Sequence, residues 1–528
     1  MKKFYARTII PMSLLIALLI TGNTVFSQST GDNPLFRHLP PDAERVYHIN
    51  LPGLLSKVDL DNALMPLAMA SKGSIKDILQ DPTLTGVDLQ KDIFFTQHGT
   101  SLGKDPVYTT ILVHLSDSGK FVSLIAKSDK GFHRVHLAGK EAVAAIGNTG
   151  FAWNSQLAVI TMIKAPKDSN AIVLSVPVSY STLAVQKSLA SLKGYENSPF
   201  TTNPFFKAGF SDDADFHFWG PQGSFIALLS ELAKNKFPGN TQAVEQAMHK
   251  MNLKTIIALR FDAGKVVITS KMPFPTDTAA IYAATLKHPF NPDMLARIPG
   301  GPLLALMTVN YDFSAMGAYF DKFKVAEKMD SILGKAGMKF NDILQSFKGD
   351  FLFAAVAPAG TQEETGSTSS GSPTIPDLYF ITTIGNRASF DKLTGQLHLL
   401  DTTGASPLDK IKAHYTLQDN ILVIGRSKAL TNGFFSATSH RSTDLVTPAM
   451  ARNPYNIVFD CKAIATYVRG MSIGSSAKAQ QILHILDAFD KLSFSMGAMD
   501  GNVMSSVFEL KMADASTNSL KALFNIFH

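Results

Sequence analysis

Short blocks of apolar residues, alternating or continuous, run along the chain in the same order twice. "HLPPDAERVYHINLPGLL" (38–55) has a Pro-bearing turn and then an apolar strand ending at Asn50. "RIPGGPLLALMTVNYDFSAM" (297–316) repeats that layout and ends its strand at Asn310. A helix is predicted after each strand. In the second, Phe313, Met316, Phe320 and Phe323 recur at i, i+3, i+7 and i+10 and share one helical face, which reads as core packing. Next come "IKDILQDPTLTGVDLQKDIFF" (75–95) and "FNDILQSFKGDFLFAAV" (340–356), each predicting a helix that leads into a Phe-rich strand.

The order holds further along. After a polar loop a second strand returns in each copy, at 107–115 and at 377–385, which reads as an antiparallel pair. Hairpins follow at 150–162 and 414–427, turned at Asn154-Ser155 and Asp419-Asn420. "NPFFKAGFSDDADFHFW" (203–219) aligns with "NPYNIVFDCKAIATYV" (453–468). Two further hairpins turn at Asp262-Ala263-Gly264 and Asp500-Gly501-Asn502, and a short amphipathic helix closes each half. Strands do not alternate strictly with helices, so the pattern predicts an α+β fold rather than a doubly wound parallel one. The predicted architecture is two tandem, internally duplicated halves of mainly antiparallel strands with helices covering one face. The first half spans 28–290, with subdomains at about 33–165 and 200–290. The second spans 291–528, with subdomains at about 291–430 and 445–528.

Before the first half stands "MKKFYARTIIPMSLLIALLITGNTVFSQST". It has a basic start at Lys2, Lys3 and Arg7, an apolar run from Ile9 to Ile20, and small residues up to Ser27. That predicts a secretory signal peptide over 1–27, because the run is too short for a membrane span. No Cys follows it to take a lipid, and no later apolar stretch is long enough to cross a bilayer. The expected mature chain is soluble and exported, to the periplasm or beyond.

Loss of 1–27 removes three positive charges and takes the formal net charge from +6 to +3. With no Lys/Arg-rich run, nucleic acid is not an expected partner. The 36 Phe against 12 Tyr and 2 Trp argue against a sugar-stacking platform. A lone Cys461 rules out an intrachain disulfide, and its apolar surroundings predict a buried, inert thiol. Residues 361–374 are of low complexity and read as an inserted loop or a handle for a partner.

Candidate chemistry is sparse. Gly470-Met471-Ser472-Ile473-Gly474 satisfies the nucleophile-elbow pattern, but the elbow needs a preceding strand, and "CKAIATYVR" reads as a helix. A triad through Ser472 would draw on Asp487 or Asp490 and, as base, His528. His133 and His136, three apart on a predicted strand, point to opposite faces and make a poor metal pair. Asp212, Asp213 and Asp215 gather near His217 without the glycine and distal Glu of a calcium loop, which reads as a solvated acidic turn. No phosphate loop, dinucleotide fingerprint or paired CxxC occurs. No catalytic, cofactor or metal site is therefore expected, with Ser472 the one catalytic candidate.

The opening "LPPDAERVYHINLPGLLSKVDL", carried by Pro41, Asp42, Ala43, Val46, Ile49 and Asn50, resembles the secreted bacterial family called domain of unknown function 4836. The DILQ-type helix and the duplicated layout extend the likeness over nearly the whole mature chain. The resemblance implies an envelope protein with no established activity and no catalytic residues. Many relatives look like lipoproteins, from which this chain departs by lacking the Cys. The expected function is non-enzymatic binding of an envelope protein or ligand. The alternatives are a serine hydrolase using Ser472 and a chaperone-like holder of clients.

Overall fold

The computed structural model describes residues 33–57, 85–99, 106–128, 132–134, 142–164, 180–221, 254–286, 291, 293–298, 301–322, 325–334, 337–358, 376–396, 413–436, 452–470 and 477–527. Residues 1–27, residues 75–84 of the first DILQ segment, His136, the 361–374 loop, Ser472 and His528 lie outside the described residues. The fold is α+β with antiparallel pairing throughout, and the chain divides into two compact units. One is Met1–Asp262 with Asn518–His528, and the other is Ala263–Thr517.

In the first unit the strands are β1 (Arg45–Ile49), β2 (Ile93–His98), β3 (Val107–His114), β4 (His133–Arg134), β5 (Ala142–Ile146), β6 (Thr149–Trp153), β7 (Leu157–Lys164), β8 (Phe216–Pro221) and β9 (Lys254–Asp262). They pair in the order β4, β5, β6, β7, β3, β2, β1, β8, β9. All five residues of the central β1 are buried, because both faces of this sheet are covered. On one face Val46, Phe94, Leu112 and Val159 meet Phe36, Val185, Phe200 and Phe206. On the other, Ile93, Ile111 and Phe151 meet Leu51, Leu55, Phe121 and Ile125, brought by the helices Leu51–Lys57 and Ser118–Ser128.

The second unit holds β10 (Lys265–Pro273), β11 (Leu303–Asn310), β12 (Phe347–Val356), β13 (Asp377–Ile384), β14 (His414–Gln418), β15 (Ile421–Gly425), β16 (Tyr455–Asp460), β17 (Phe489–Asp500) and β18 (Val503–Met512). Their order is β14, β15, β13, β12, β11, β16, β17, β18, β10. From β6 to β9 and from β14 to β17 the connectivity is the same. The match extends to single bonds: Asn50 N–H donates to Asp215 O and Asn310 N–H donates to Pro454 O, each just ahead of the paired strand. Asp419 and Asn420, at φ 50° and 60°, make the two-residue turn of β14 and β15 that their sequence predicts.

One local reading changes. Asn203-Pro204 does not lead into a strand as Asn453-Pro454 does. The Asn203 side chain accepts from Phe206 N–H at 3.1 Å, and Pro204 sits where a helix lacks a donor requirement, so Pro204–Gly209 is helical. The equivalent strands are Phe216–Pro221 and Tyr455–Asp460. The compact units part at 262/263. β10 pairs with β18 along its whole length, from Lys265 opposite Lys511 to Pro273 opposite Val503. The closing helix Ser519–Phe527 belongs to the first unit, where Asn518 Nδ2 donates to Phe261 O at 2.9 Å.

Candidate functional site

Residues directly opposite across an antiparallel sheet share a face, so the register reveals transverse rows. In the second unit one row takes one residue from each strand: Tyr415, Ile424, Phe380, Phe353, Met307, Ile457, Phe494, Phe508 and Ile268. Every member is apolar, and the row is about 38 Å long at ~4.8 Å per strand. A second row lies beside it, through Leu378, Ala355, Ala305, Phe459, Leu492 and Leu510. Neither row contains a charged residue.

Helices cover the adjoining end of this face. Phe313 packs on Phe351 at 5.3 Å, Phe390 on Phe347 at 5.9 Å, and Tyr282 and Tyr311 both reach Met496 Sδ at 3.9 Å. Phe313, Met316 and Phe320 are accordingly half-buried, serving as cover rather than as a separate groove. The middle of the two rows is left accessible: Leu378 is 58% exposed, Phe353 and Phe459 are each 40% exposed, and the other members are half-buried. The first unit carries the matching row, Ala144, Phe151, Ile160, Ile111, Phe95, Tyr47, Phe218 and Ile257. There Phe151, Ile111, Tyr47, Phe218 and Ile257 are all buried. The same apolar face is closed in one unit and open in the other.

The acidic segment behaves in two ways. Asp213 is solvated as expected, but Asp215 is wholly buried. Lys57 Nζ donates to both its oxygens, at 2.7 and 2.6 Å, and Phe261 N–H donates at 2.7 Å. Burial pushes the Asp215 carboxyl above the usual range, against the opposing pull of Lys57 and Phe261 N–H. His217, also fully buried, meets His48 through the two Nδ1 atoms at 2.9 Å. No group of three or more His, Cys, Asp or Glu suited to a metal occurs among the described residues.

Around Ser472, Cys461–Gly470 is a helix, so the segment ahead of the Gly-x-Ser-x-Gly pattern is not the strand that an elbow needs. Of its possible partners, Asp487 is held by Arg469, and Asp490 by Lys462 at 2.7 Å. Lys462 and Asp490 border an open cavity of about 480 Å³ together with Pro302, Ala357, Asp460 and Tyr467. Their charges neutralise each other across it. Cys461 is buried, and its thiol is pushed up by burial and by Asp460 and Asp490. We expect iodoacetamide to leave the native thiol unmodified and to alkylate it on unfolding, checked by intact mass. Modification of the folded protein at the unfolded rate would contradict this placement.

No helix among the described residues is long and apolar enough to cross a membrane. No family model matches the chain. No curated protein matches it either. Among solved structures, three crystal forms of a protein described as TP0453 align at 11% identity and a TM-score of 0.28. The alignments cover 45%, 48% and 46% of this chain and 79%, 88% and 78% of the other. Likeness at that level does not establish a shared fold.

Proposed function

We propose that this is an exported, non-enzymatic envelope protein that binds a protein partner through the open apolar face of its second unit. Export rests on the N-terminal segment, and the common strand order and register support an origin by duplication. Membership of the domain of unknown function 4836 rests on the opening residues 38–55. The observation that carries the binding reading is the pair of accessible apolar rows. Monomers seldom leave a contiguous apolar patch beyond a few hundred Å².

The face is one side of a sheet, whereas a small-molecule site needs a concavity that buries most of the ligand's surface. It also offers no Lys or Arg within its rows to attract an anionic lipid surface. A partner presenting its own uncharged apolar face fits it best. Rows of about 38 and 24 Å, each about 6.5 Å wide, make roughly 400 Å², worth ~10 kcal/mol gross at 25 cal/mol/Å². Association costs on the order of 4–15 kcal/mol, so binding requires that nearly the whole patch be covered.

A photo-crosslinking residue at 353, at 378 and, as a control, at 507 tests this in the native envelope. Val507 is similarly exposed, at 38%, but on the opposite face. A saturable adduct of one fixed mass from 353 and 378, absent from 507, is the expected result. Equal labelling from 507, adducts of many masses as a client holder would give, or flotation with phosphatidylglycerol vesicles would overturn it.

A further inference from the structure

The buried pair His48 and His217 joins the central strands β1 and β8, where the two residues sit directly opposite. Their Nδ1 atoms are 2.9 Å apart, a distance that accommodates one proton between them. His217 Nε2 lies 2.6 Å from Asp212 Oδ1, which makes that nitrogen the donor to a carboxylate. His217 then accepts at Nδ1, and His48 donates. The remaining nitrogen, His48 Nε2, has no aligned hydrogen-bond partner, although Asp92 Oδ2 is 3.2 Å away. These assignments leave one proton between the two rings.

The second unit supplies an internal comparison. At the same register on β11 and β16 stand Thr308 and Asn456, and Asn456 Nδ2 donates to Thr308 Oγ1 at 2.9 Å. Both are buried to 1% exposure. Only the first unit has placed two titratable rings where the fold is satisfied by a neutral amide and hydroxyl.

We infer that His48 and His217 form an acid-sensitive latch between β1 and β8, which holds while the pair shares one proton and opens when both rings are protonated. Two imidazolium rings would direct hydrogens at each other across 2.9 Å, in a buried site that screens them poorly. The facing charges are few. Asp92, ahead of β2, and Asp212, ahead of β8, are the carboxylates, and the other walls are the rings of Phe94 and Phe210. Burial holds His48 below its ordinary 6.5, with Asp92 pulling the other way. A base depressed in the fold binds protons more readily in the unfolded chain. Stability is therefore full above pH 6.5 and is lost as pH falls below it.

Both tryptophans, Trp153 and Trp219, lie in the first unit and report its unfolding alone. Denaturant unfolding of the full chain, followed by their fluorescence from about pH 7.5 to 5, tests the latch against the H48T/H217N variant. That variant installs the second unit's own pair. In the wild type the unfolding constant should rise up to about tenfold per pH unit for each extra proton taken up. The variant should lose that part of the slope. Equal slopes in the two proteins, or a flat wild type, would overturn the inference. Should the variant fail to fold, deuterium exchange at the ring C–H of His48 in the wild type decides. A titration below that of a free histidine upholds the latch, and an ordinary one refutes it.

Discussion

Replacing Phe206 by Ala is expected to destabilise the first unit by about 3–5 kcal/mol. The ring is wholly buried and is gripped on every side by other aromatics. Its centroid lies 5.1 Å from that of Phe36, 5.0 Å from Phe200, 4.4 Å from Phe210 and 5.7 Å from Trp219. Truncation removes the transfer energy of the ring and leaves a void that four rigid neighbours cannot collapse into. Tryptophan-monitored denaturation of the full chain reads the loss directly, since Trp219 borders the void. A loss below 1 kcal/mol would mean that this aromatic cluster is not packed as described. Phe353→Ala is the contrast. With its ring 40% exposed on the open face, it should cost no more than about 1 kcal/mol.

Lys57→Met should be nearly as damaging, and its cost should depend on pH. The substitution leaves the buried Asp215 carboxylate with Phe261 N–H as the remaining donor named above. Breaking a buried ion pair from one side costs about 3–5 kcal/mol, and the lower half of that range applies because Lys57 is 22% exposed. Burial already holds Asp215 above its ordinary 3.8, and loss of the ammonium raises it further. An acid raised in the fold contributes stability below its unfolded value that is lost as pH rises through its folded value. The variant should therefore be weakest at alkaline pH and recover as Asp215 takes up a proton. Adding Asp215→Asn should restore part of the loss at neutral pH and abolish that recovery. A penalty independent of pH would contradict the buried pair.

Much of the sheet was legible because its signals are local. Alternation in "LLALMTVN", the Asp419-Asn420 turn and the second DILQ helix each fall within a few residues. The order of strands could then be read by laying one half on the other. The site was not legible for the opposite reason. Each strand gives one residue to a transverse row, so the rows are assembled from positions scattered between 268 and 510 and appear only once register is known. His48 and His217 are 169 residues apart, and neither has a motif around it. Asp215 looked like part of a polar turn because its partner, Lys57, is 158 residues away. Composition also could not separate a covered apolar face from an open one, since the rows of the two units are nearly alike in chemistry. What differs is how far each row is buried. The unit boundary at 262/263 has the same cause: the ladder of β10 with β18 joins segments at opposite ends of the second unit's sequence.

The central claim is that one apolar sheet face is closed inside the first unit while its counterpart in the second is open and receives a partner. Carbene footprinting of the chain, purified and in its native envelope, measures this most directly. The account predicts that Phe353, Leu378 and Phe459 are labelled in the purified protein and protected in the envelope, while Tyr47, Phe151 and Phe218 stay unlabelled in both. Equal labelling of the second-unit rows in both states would contradict it, as would labelling of the first-unit row to the same extent.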